Sequence, residues 1–178
     1  MKPLLLILVL SLISQNNYEI IHDFKASKSL YNWYVVDDGV MGGLSQGKLT
    51  INQKGNGLYT GFVSTANNGG FSSVRYAFET KDVSRHTEVV LRIKGDGKPY
   101  QFRIKKDRYQ QFSYISTFET TGEWETIRIP FKDFYPGFRG YRLNRPNYPG
   151  DEMSEIAFLI GNKANEEFAL EIKSIALD

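Results

Sequence analysis

The sequence predicts an all-β protein that folds as one antiparallel β-sandwich. Short runs rich in Val, Ile, Phe, Tyr and Thr recur between clusters of Gly, Asn and Asp, and this pattern is typical of all-β domains. Apolar residues at helical spacing are nearly absent. The 178 residues, 41% of them hydrophobic, are enough for one domain with a substantial core, and no repeat or Ser/Gly-rich linker divides the chain.

Each apolar run is expected to form one strand, because Gly, Asn, Asp or Pro interrupts the chain between runs. The expected strands cover residues 34–36, 47–52, 58–64, 73–78, 88–94, 100–105, 112–117, 125–129, 154–160 and 168–177. A short helical turn is expected over residues 132–134. This number of short strands predicts an antiparallel sandwich.

The strands over residues 88–94 and 100–105 are expected to form a hairpin. Apolar and polar residues alternate in both, and apolar residues must face one another across the pair. A four-residue loop at Gly95 to Lys98 would bring Ile93 opposite Tyr100. The other face would then carry a basic stripe, which is either a solvated surface or an anionic-ligand site. The stripe consists of Arg92, Lys94, Gln101, Arg103 and Lys105.

The first fourteen residues, Met1 to Ser14, are typical of a secretory signal peptide. Lys2 precedes an apolar run that is too short to span a bilayer, so no stable transmembrane segment is expected. The cleavage site is imperfect, since Leu12 stands where a small residue is preferred. We therefore expect a signal peptide over residues 1–14, a domain over residues 15–178 and export to the periplasm or medium. The alternative is a buried first strand in a cytoplasmic protein.

Composition excludes several classes of function. Lys and Arg total 22 against 20 for Asp and Glu, so the formal charge of +2 gives no general footprint for nucleic acid. The absence of cysteine removes thiol nucleophiles, disulfides and zinc ribbons. Only His22 and His86 could serve as imidazole ligands or bases, and their separation disfavours a Ser/His/Asp triad.

Two glycine-rich segments lie between predicted strands, over residues 37–45 and 67–75. Neither has the spacing of a dinucleotide-binding or phosphate-binding loop, and no helix is expected after either. Asn and Gly supply the positive φ angles of turns, so both segments are interpreted as connections. Trp33 before the first segment and Arg75 at the end of the second are residue types that anchor recognition surfaces.

Several strings, in one order, resemble the NADH:ubiquinone oxidoreductase complex I intermediate-associated protein 30 family. The strings are residues 33–45, 67–75, 95–100, 124–131, 138–140 and 168–175. The resemblance covers the chain from about Asp23 to its C-terminus. It implies a galactose-binding-like jelly-roll β-sandwich, which agrees with the strands expected from the residues. The eukaryotic members are mitochondrial assembly factors that act as chaperones for complex I intermediates, and fold alone does not transfer that role.

A non-enzymatic binding module is the first functional hypothesis, and we place a protein partner ahead of a glycan. The two glycine-rich loops would form one surface if they lie at the same end of the sandwich. The alternative is that Trp33 and Phe71 belong to the core and that the polar residues bond turn backbone. The candidate partner-binding residues are Trp33, Asp37, Asp38, Met41, Asn68, Phe71, Arg75, Tyr100 and Arg103.

An exported carbohydrate-binding module is the second hypothesis. Sugars stack on exposed aromatic faces and bond planar polar groups, although a sandwich also uses tyrosine at strand ends. The tyrosines available for stacking are Tyr100, Tyr109, Tyr114, Tyr135, Tyr141 and Tyr148, with Gln101, Arg103 and Asn144 as polar neighbours. The irregular segment from Tyr135 to Gly150 is a further candidate surface, because long loops in compact domains are often functional.

Catalysis is disfavoured, and no cofactor is required. Adjacent strand residues such as Asp37 and Asp38 point to opposite faces, while Glu123 and Glu125 share a face only as part of a plain strand pattern. The family resemblance suggests one metal, a structural calcium between the N-terminal segment and the last strand. Its expected ligands are Asp23 and Asp178, although calcium needs six to eight oxygens.

Overall fold

The computed structural model describes residues 18–178, apart from the side chains of Val40 and Met41. The signal peptide expected over residues 1–14 lies outside the described residues. Within the described chain, 13 of the 17 elements are β-strands and the other four are short helical turns, which confirms the predicted all-β class. In residues 18–178, no helix has the length and apolar character required to cross a membrane.

The strands are numbered in chain order. They are β1 Glu19–Asp23, β2 Trp33–Asp37, β3 Gln46–Ile51, β4 Gly57–Val63, β5 Ser72–Asp82, β6 Glu88–Lys94, β7 Tyr100–Lys105, β8 Ser113–Phe118, β9 Trp124–Pro130, β10 Tyr135–Phe138, β11 Tyr141–Arg142, β12 Glu152–Ile160 and β13 Glu166–Leu177. The helical elements are α1 Phe24–Ser27 and three short 3-10 turns at Asp38–Met41, Ala66–Asn68 and Phe131–Asp133.

Two antiparallel sheets pack face to face. The six-stranded sheet has the order β3-β4-β13-β6-β9, with β1 paired to β13, and the seven-stranded sheet has the order β11-β10-β8-β7-β12-β5-β2. Large apolar side chains of both inner faces are fully buried between the sheets. Phe102 and Phe158 of the seven-stranded sheet pack edge to face, and Leu91 and Ile93 lie on the opposite inner face.

The hairpin predicted between β6 and β7 is wrong. β6 pairs with β13 and β9, whereas β7 pairs with β12 and β8 in the other sheet. The apolar residues of the two strands do face one another, but across the sandwich interior and not within one sheet. The loop therefore crosses between sheets, and Thr120 fastens it by accepting a hydrogen bond from the Gly97 amide at 3.0 Å. The predicted basic stripe is divided between two opposite outer surfaces.

Three strands were missing from the sequence prediction. β1 pairs with the last residues of β13, and β10 and β11 form a small hairpin at one edge of the seven-stranded sheet. β10 and β11 together occupy six of the sixteen residues from Tyr135 to Gly150 that were expected to be irregular. The rest of that segment is fixed by Tyr148, which is buried and donates to the Glu152 carbonyl at 2.7 Å.

Candidate functional site

A row of side chains crosses the outer face of the seven-stranded sheet, perpendicular to the strands. Residues directly opposite one another on neighbouring strands form it. They are Tyr34, Arg75, Ala157, Arg103, Ile115 and Tyr135, and we call them the ladder row. Six strands contribute, so the row is about 24 Å long at about 4.8 Å for each of five strand spacings.

Alternation within each strand places the ladder row on the outside. In β2, Trp33 packs against the core, and Tyr34 is 41% exposed on the opposite side. In β7, Phe102 and Ile104 are fully buried between the sheets, so Arg103 between them points away from the core. Because inward-facing core residues alternate with outward-facing residues, each strand places its ladder-row residue on the same outer surface.

A depression lies at the centre of the ladder row, over Ala157. Arg75 and Arg103 flank this residue on the two neighbouring strands. Two strand spacings separate their backbones by about 10 Å, and the side chain between them is a single methyl group that is itself buried. Of the described residues, three cations and one carboxylate line the depression; they are Arg75, Arg103, Lys105 and Glu155.

Glu155 is buried and is held by three neighbours. The Tyr34 hydroxyl donates to its Oε2 at 2.6 Å, and the Lys105 ammonium lies 3.4 Å from its Oε1. The Arg75 guanidinium is more distant, at 3.8 Å. Burial, and then the hydrogen bond to Glu155, raise the pKa of Tyr34 to about 12. Tyr34 therefore stays protonated at neutral pH as the donor to this carboxylate.

Arg103 forms no ion pair with a carboxylate in residues 18–178. Its Nε and Nη2 donate to the same amide oxygen of Gln101, at 3.0 and 2.6 Å. Burial, followed by repulsion from Arg75, lowers the pKa of Arg103 to about 10. The guanidinium is still charged at neutral pH, so the site keeps a partly desolvated cation beside a second one.

One end of the ladder row carries a further cation. The Arg142 guanidinium lies over the ring of Tyr135, 5.0 Å from its centroid. Arg142 is opposite Gly137 in β10, and a Cβ at Gly137 would contact the Tyr135 ring and the Ile115 side chain. These contacts put Arg142 on the same outer face as Tyr135. One face of this ring is thereby covered by a guanidinium.

The two glycine-rich loops do meet, but Asp38 joins them from the inside. This buried carboxylate accepts hydrogen bonds from the amide and hydroxyl of Ser45 and from the amides of Gly70 and Phe71. Burial raises the pKa of Asp38, but these donors together outweigh it and lower the pKa below its usual value. Its oxygens are therefore engaged within the protein.

Asp37 is engaged in the same way. It accepts from the Gly47 amide at 3.0 Å and from the Ser72 hydroxyl at 2.5 Å, and Ser72 in turn accepts from the buried Tyr59 hydroxyl. Adjacent carboxylates at residues 37 and 38 thus have separate sets of partners. Asp38 holds the backbone of the two loops together, and Asp37 joins β3 to β5. These hydrogen bonds agree with the alternative role for the two aspartates, in which they bond turn backbone and do not contact a partner.

Several predicted binding residues lie away from the ladder row. Trp33 stacks on Tyr76 at 4.9 Å between ring centroids and donates to His22 at 3.3 Å on the inner side of the sheet. Tyr100 is fully buried and bonds Asp96, so its prediction as a contact residue is wrong. Asn68 is exposed and Phe71 is half-buried in the loop above Asp38. The side chain of Met41 is not described.

The predicted tyrosines divide into two groups. Tyr148 is buried in the core, like Tyr100, and Tyr114 is nearly buried but lines a surface pocket beside Phe112 and Arg145. Tyr109 and Tyr141 are 85% and 77% exposed, but neither is a ladder-row residue. Asn144 is exposed on the loop after β11. Of the predicted glycan-contact residues, the outer face of the seven-stranded sheet brings together Gln101, Arg103 and Tyr135.

Asp23 and Asp178 do not fit one calcium site. Asp23 caps α1 by accepting from the Ala26 amide at 2.9 Å, and it lies opposite Ser174. Asp178 follows Leu177 at the other end of the β1/β13 pair and binds the Arg128 guanidinium at 2.7 Å. In the described chain, no group of three acidic or histidine side chains could hold a metal ion.

The sequence analysis missed Tyr34 and Glu155. A usable signal existed for Tyr34, because it alternates with the inward-facing Trp33 and Val35. Glu155 interrupts an apolar strand, and its neighbours become visible only when β12 is placed between β5 and β7. Arg75 and Arg103 were predicted separately, one on a loop string and one in a basic stripe, and the structure brings them to one site.

Solved structures with the same fold include carbohydrate-binding modules. The Family 11 Carbohydrate-Binding Module of cellulosomal cellulase Lic26A-Cel5E of Clostridium thermocellum has a TM-score of 0.66 and 19% identity, with 90% of this chain and 93% of that chain covered. The module in complex with beta-1,3-1,4-mixed-linked tetrasaccharide gives 0.65 and 20%, over 90% and 94% of the two chains. At these identities the likeness shows the fold alone, and it confirms the galactose-binding-like sandwich.

Sequence comparison gives the family. The pattern of Complex I intermediate-associated protein 30 matches residues 22–172. The mitochondrial Complex I intermediate-associated protein 30 of Mus musculus is 28% identical over 182 residues, which cover 89% of this chain and 55% of the mouse protein. The chain thus spans about half the length of this curated relative. These matches agree with the order of strings in the sequence, and the chain belongs to the Complex I intermediate-associated protein 30 family.

Proposed function

We propose that this chain is a non-enzymatic binding module that assists assembly of a protein complex by holding a partner protein on the ladder row. The observation that carries the proposal is the in-register line of Tyr34, Arg75, Arg103 and Tyr135 across one outer face. Tyr and Arg are the residues that contribute most to protein interfaces, and here a rigid sheet presents them. Family membership supports a role in complex I assembly.

The face suits binding better than the glycine-rich loops do. Asp37 and Asp38 use their oxygens on internal donors, and Trp33 is packed inside. On the ladder row, by contrast, Tyr34 is 41% exposed and the Arg75 side chain is 25% exposed. We therefore move the proposed contact surface from the loop ends to the sheet.

We assign no catalytic role to this face. Glu155 is the one carboxylate in the described residues that line the central depression. It is paired with Lys105 and bonded by Tyr34, and acid/base hydrolysis of a glycoside needs two carboxylates. The arrangement holds charges in place and offers no second carboxylate beside Glu155.

A carbohydrate-binding module is the second candidate. The specific observation in its favour is that tyrosines stand at both ends of the row, with Gln101 and two arginines between them. Such side chains can stack on sugar rings and bond hydroxyls. The bound tetrasaccharide in a structure of this fold belongs to that other protein, and it supports the candidate by analogy of fold.

A crosslinked pull-down of the tagged full-length protein, with cells fractionated into cytoplasm, membrane and exported material, tests the proposal. We expect a protein complex that Arg75→Ala loses and that Arg92→Ala keeps. Arg92 is a matched control, since it lies on the outer face of the six-stranded sheet over Trp124. Recovery of the bait alone, together with saturable glycan binding that Tyr135→Ala abolishes, would replace the protein partner with a sugar. The same fractions test the expected export.

A further inference from the structure

The central depression has an excess of positive charge that the protein does not neutralise. Arg75, Arg103 and Lys105 line it, and Glu155 is the single carboxylate among its described lining residues. Glu155 lies nearest to Lys105, at 3.4 Å, and is farther from Arg75. Arg103 has only the neutral amide of Gln101 as its hydrogen-bond acceptor in the described chain. Among residues 18–178, Arg103 therefore has no carboxylate partner, and Arg75 shares Glu155 with Lys105.

The register of the sheet leaves one strand between Arg75 and Arg103. Their strands are separated by the strand of Ala157, so the backbones are about 10 Å apart, and each long side chain can reach towards the gap. Arginine binds a carboxylate through two parallel N–H donors, which makes it suited to this group. Partial burial excludes water and strengthens the attraction.

Stacking is a weaker basis for recognition here than charge. The ring of Tyr135 is covered on one side by Arg142 at 5.0 Å, and the Tyr34 hydroxyl is fixed on Glu155. Arg142 also extends the positive charge to the end of the row. A row of about 24 Å matches about seven residues of an extended peptide at about 3.4 Å each. These features favour an acidic peptide over a neutral sugar chain.

We propose that the ladder row binds an extended acidic segment of the partner protein, with one Asp or Glu carboxylate held between Arg75 and Arg103 over Ala157. This inference rests on the proposed function and adds the chemistry of the partner to it. Further acidic side chains of the segment would face Lys105 and Arg142. Glu155 then acts as a competitor that keeps the empty site folded and limits affinity for anions.

Fluorescence anisotropy with a labelled, end-capped hexaglutamate peptide tests the inference on the full chain. A hexaglutamine peptide of the same length is the uncharged reference. We expect Arg103→Gln and Arg75→Gln each to weaken hexaglutamate binding at least about tenfold, since each removes a charge-assisted contact. Arg92→Gln, on the other sheet, should stay within about twofold. Thermal melts of each variant check that it is folded.

The variant Glu155→Gln should change hexaglutamate affinity in the opposite direction from the arginine variants. Removing the competing carboxylate without changing its shape should tighten hexaglutamate binding about threefold or more, whereas a purely structural loss could only weaken it. Equal binding of hexaglutamate and hexaglutamine, or equal losses in Arg92→Gln and Arg103→Gln, would overturn the inference. Tighter binding of hexagalacturonate than of hexaglutamate would overturn it in favour of an acidic glycan.

These outcomes are separate from those of the pull-down. One possible result is that Arg75→Ala loses the partner complex while the wild type shows no preference for hexaglutamate. This result would support the assembly function and refute the proposal that the partner segment is acidic. If the pull-down recovers no protein complex, the proposed assembly function is refuted. Binding should also weaken steeply between about 50 and 200 mM salt, because exposed ion pairs are screened over about a Debye length of 10 Å.

Discussion

Replacement of Asp38 by alanine should destabilise the protein far more than replacement of an exposed aspartate. The Asp38 carboxylate accepts from three backbone amides, those of Ser45, Gly70 and Phe71, at 3.1, 2.6 and 3.2 Å. Each buried amide left without an acceptor costs about 1–3 kcal/mol. Three such groups give a loss of about 3 kcal/mol at the lower bound. For a chain of this size, that loss lowers Tm by about 6–12 °C.

Urea denaturation followed by tryptophan fluorescence measures this loss. Asp107→Ala is the control, because Asp107 is exposed and its carboxylate accepts one turn amide, that of Tyr109 at 2.6 Å. We expect the control to lose about 0.5–1 kcal/mol. Asp38→Asn should fall between the two, since it keeps one acceptor oxygen but loses the charge. An Asp38→Ala loss no larger than that of Asp107→Ala would refute the view that this carboxylate joins the loops.

The same group gives a pH dependence with a defined sign. Because hydrogen-bond donors lower the pKa of Asp38 in the folded state, its contribution to stability is fully present above the unfolded pKa of about 3.9. The contribution is lost as pH falls from there through the folded pKa. In Asp38→Asn, the stability difference from the wild type should therefore shrink below about pH 4.

Three further predictions concern stability. Burial lowers the pKa of His22, so its contribution to stability should be full above about pH 6.5 and should fall below that pH. In urea denaturation at about pH 5 and about pH 7.5, His22→Phe should show a smaller difference in stability between the two pH values than the wild type. A chelator should leave Tm unchanged within about 1 °C, since Asp23 and Asp178 do not share a site, and a drop of several degrees would reveal another metal site. Gly61→Ala should cost about 1–3 kcal/mol in denaturant, because its Cβ would collide with the Gln46 carbonyl, whereas Gly39→Ala meets no atom within 4 Å and should cost less than about 1 kcal/mol.

Much of the strand pattern could be predicted because alternation is a local property. All the predicted strands have counterparts, and errors in their bounds are small except in β5. Strand pairing is not local: the alternation of β6 and β7 is satisfied equally by a hairpin in one sheet and by two strands facing across a core. The strand β1 depends on β13 at the far end of the chain, and this contact has no signal in the segment itself.

The candidate site was less predictable than the fold for the same reason. Nothing in the sequence indicates that Arg75 and Arg103 lie close together on one face of the sheet. They are separated by 27 residues in the chain, and β12 lies between their strands. Ala157 is visible as a site residue only after the register of three strands is known. A surface made across strands belongs to the tertiary structure, and residue types alone suggest its members one at a time.

The two glycine-rich strings, residues 37–45 and 67–75, have a structural role that is separate from ligand binding. A Cβ at Gly43 or Gly69 would overlap the Asp38 carboxylate, so the glycines and the aspartate require one another. These strings therefore encode a junction between loops and identify the fold. The ladder row is built from outward residues that the core does not constrain. A chain can keep the junction and carry other side chains at positions 34, 75, 103, 135 and 155. On the proposed function, ligand specificity among proteins of this fold should therefore be compared at those five positions and not at the strings that reveal the family.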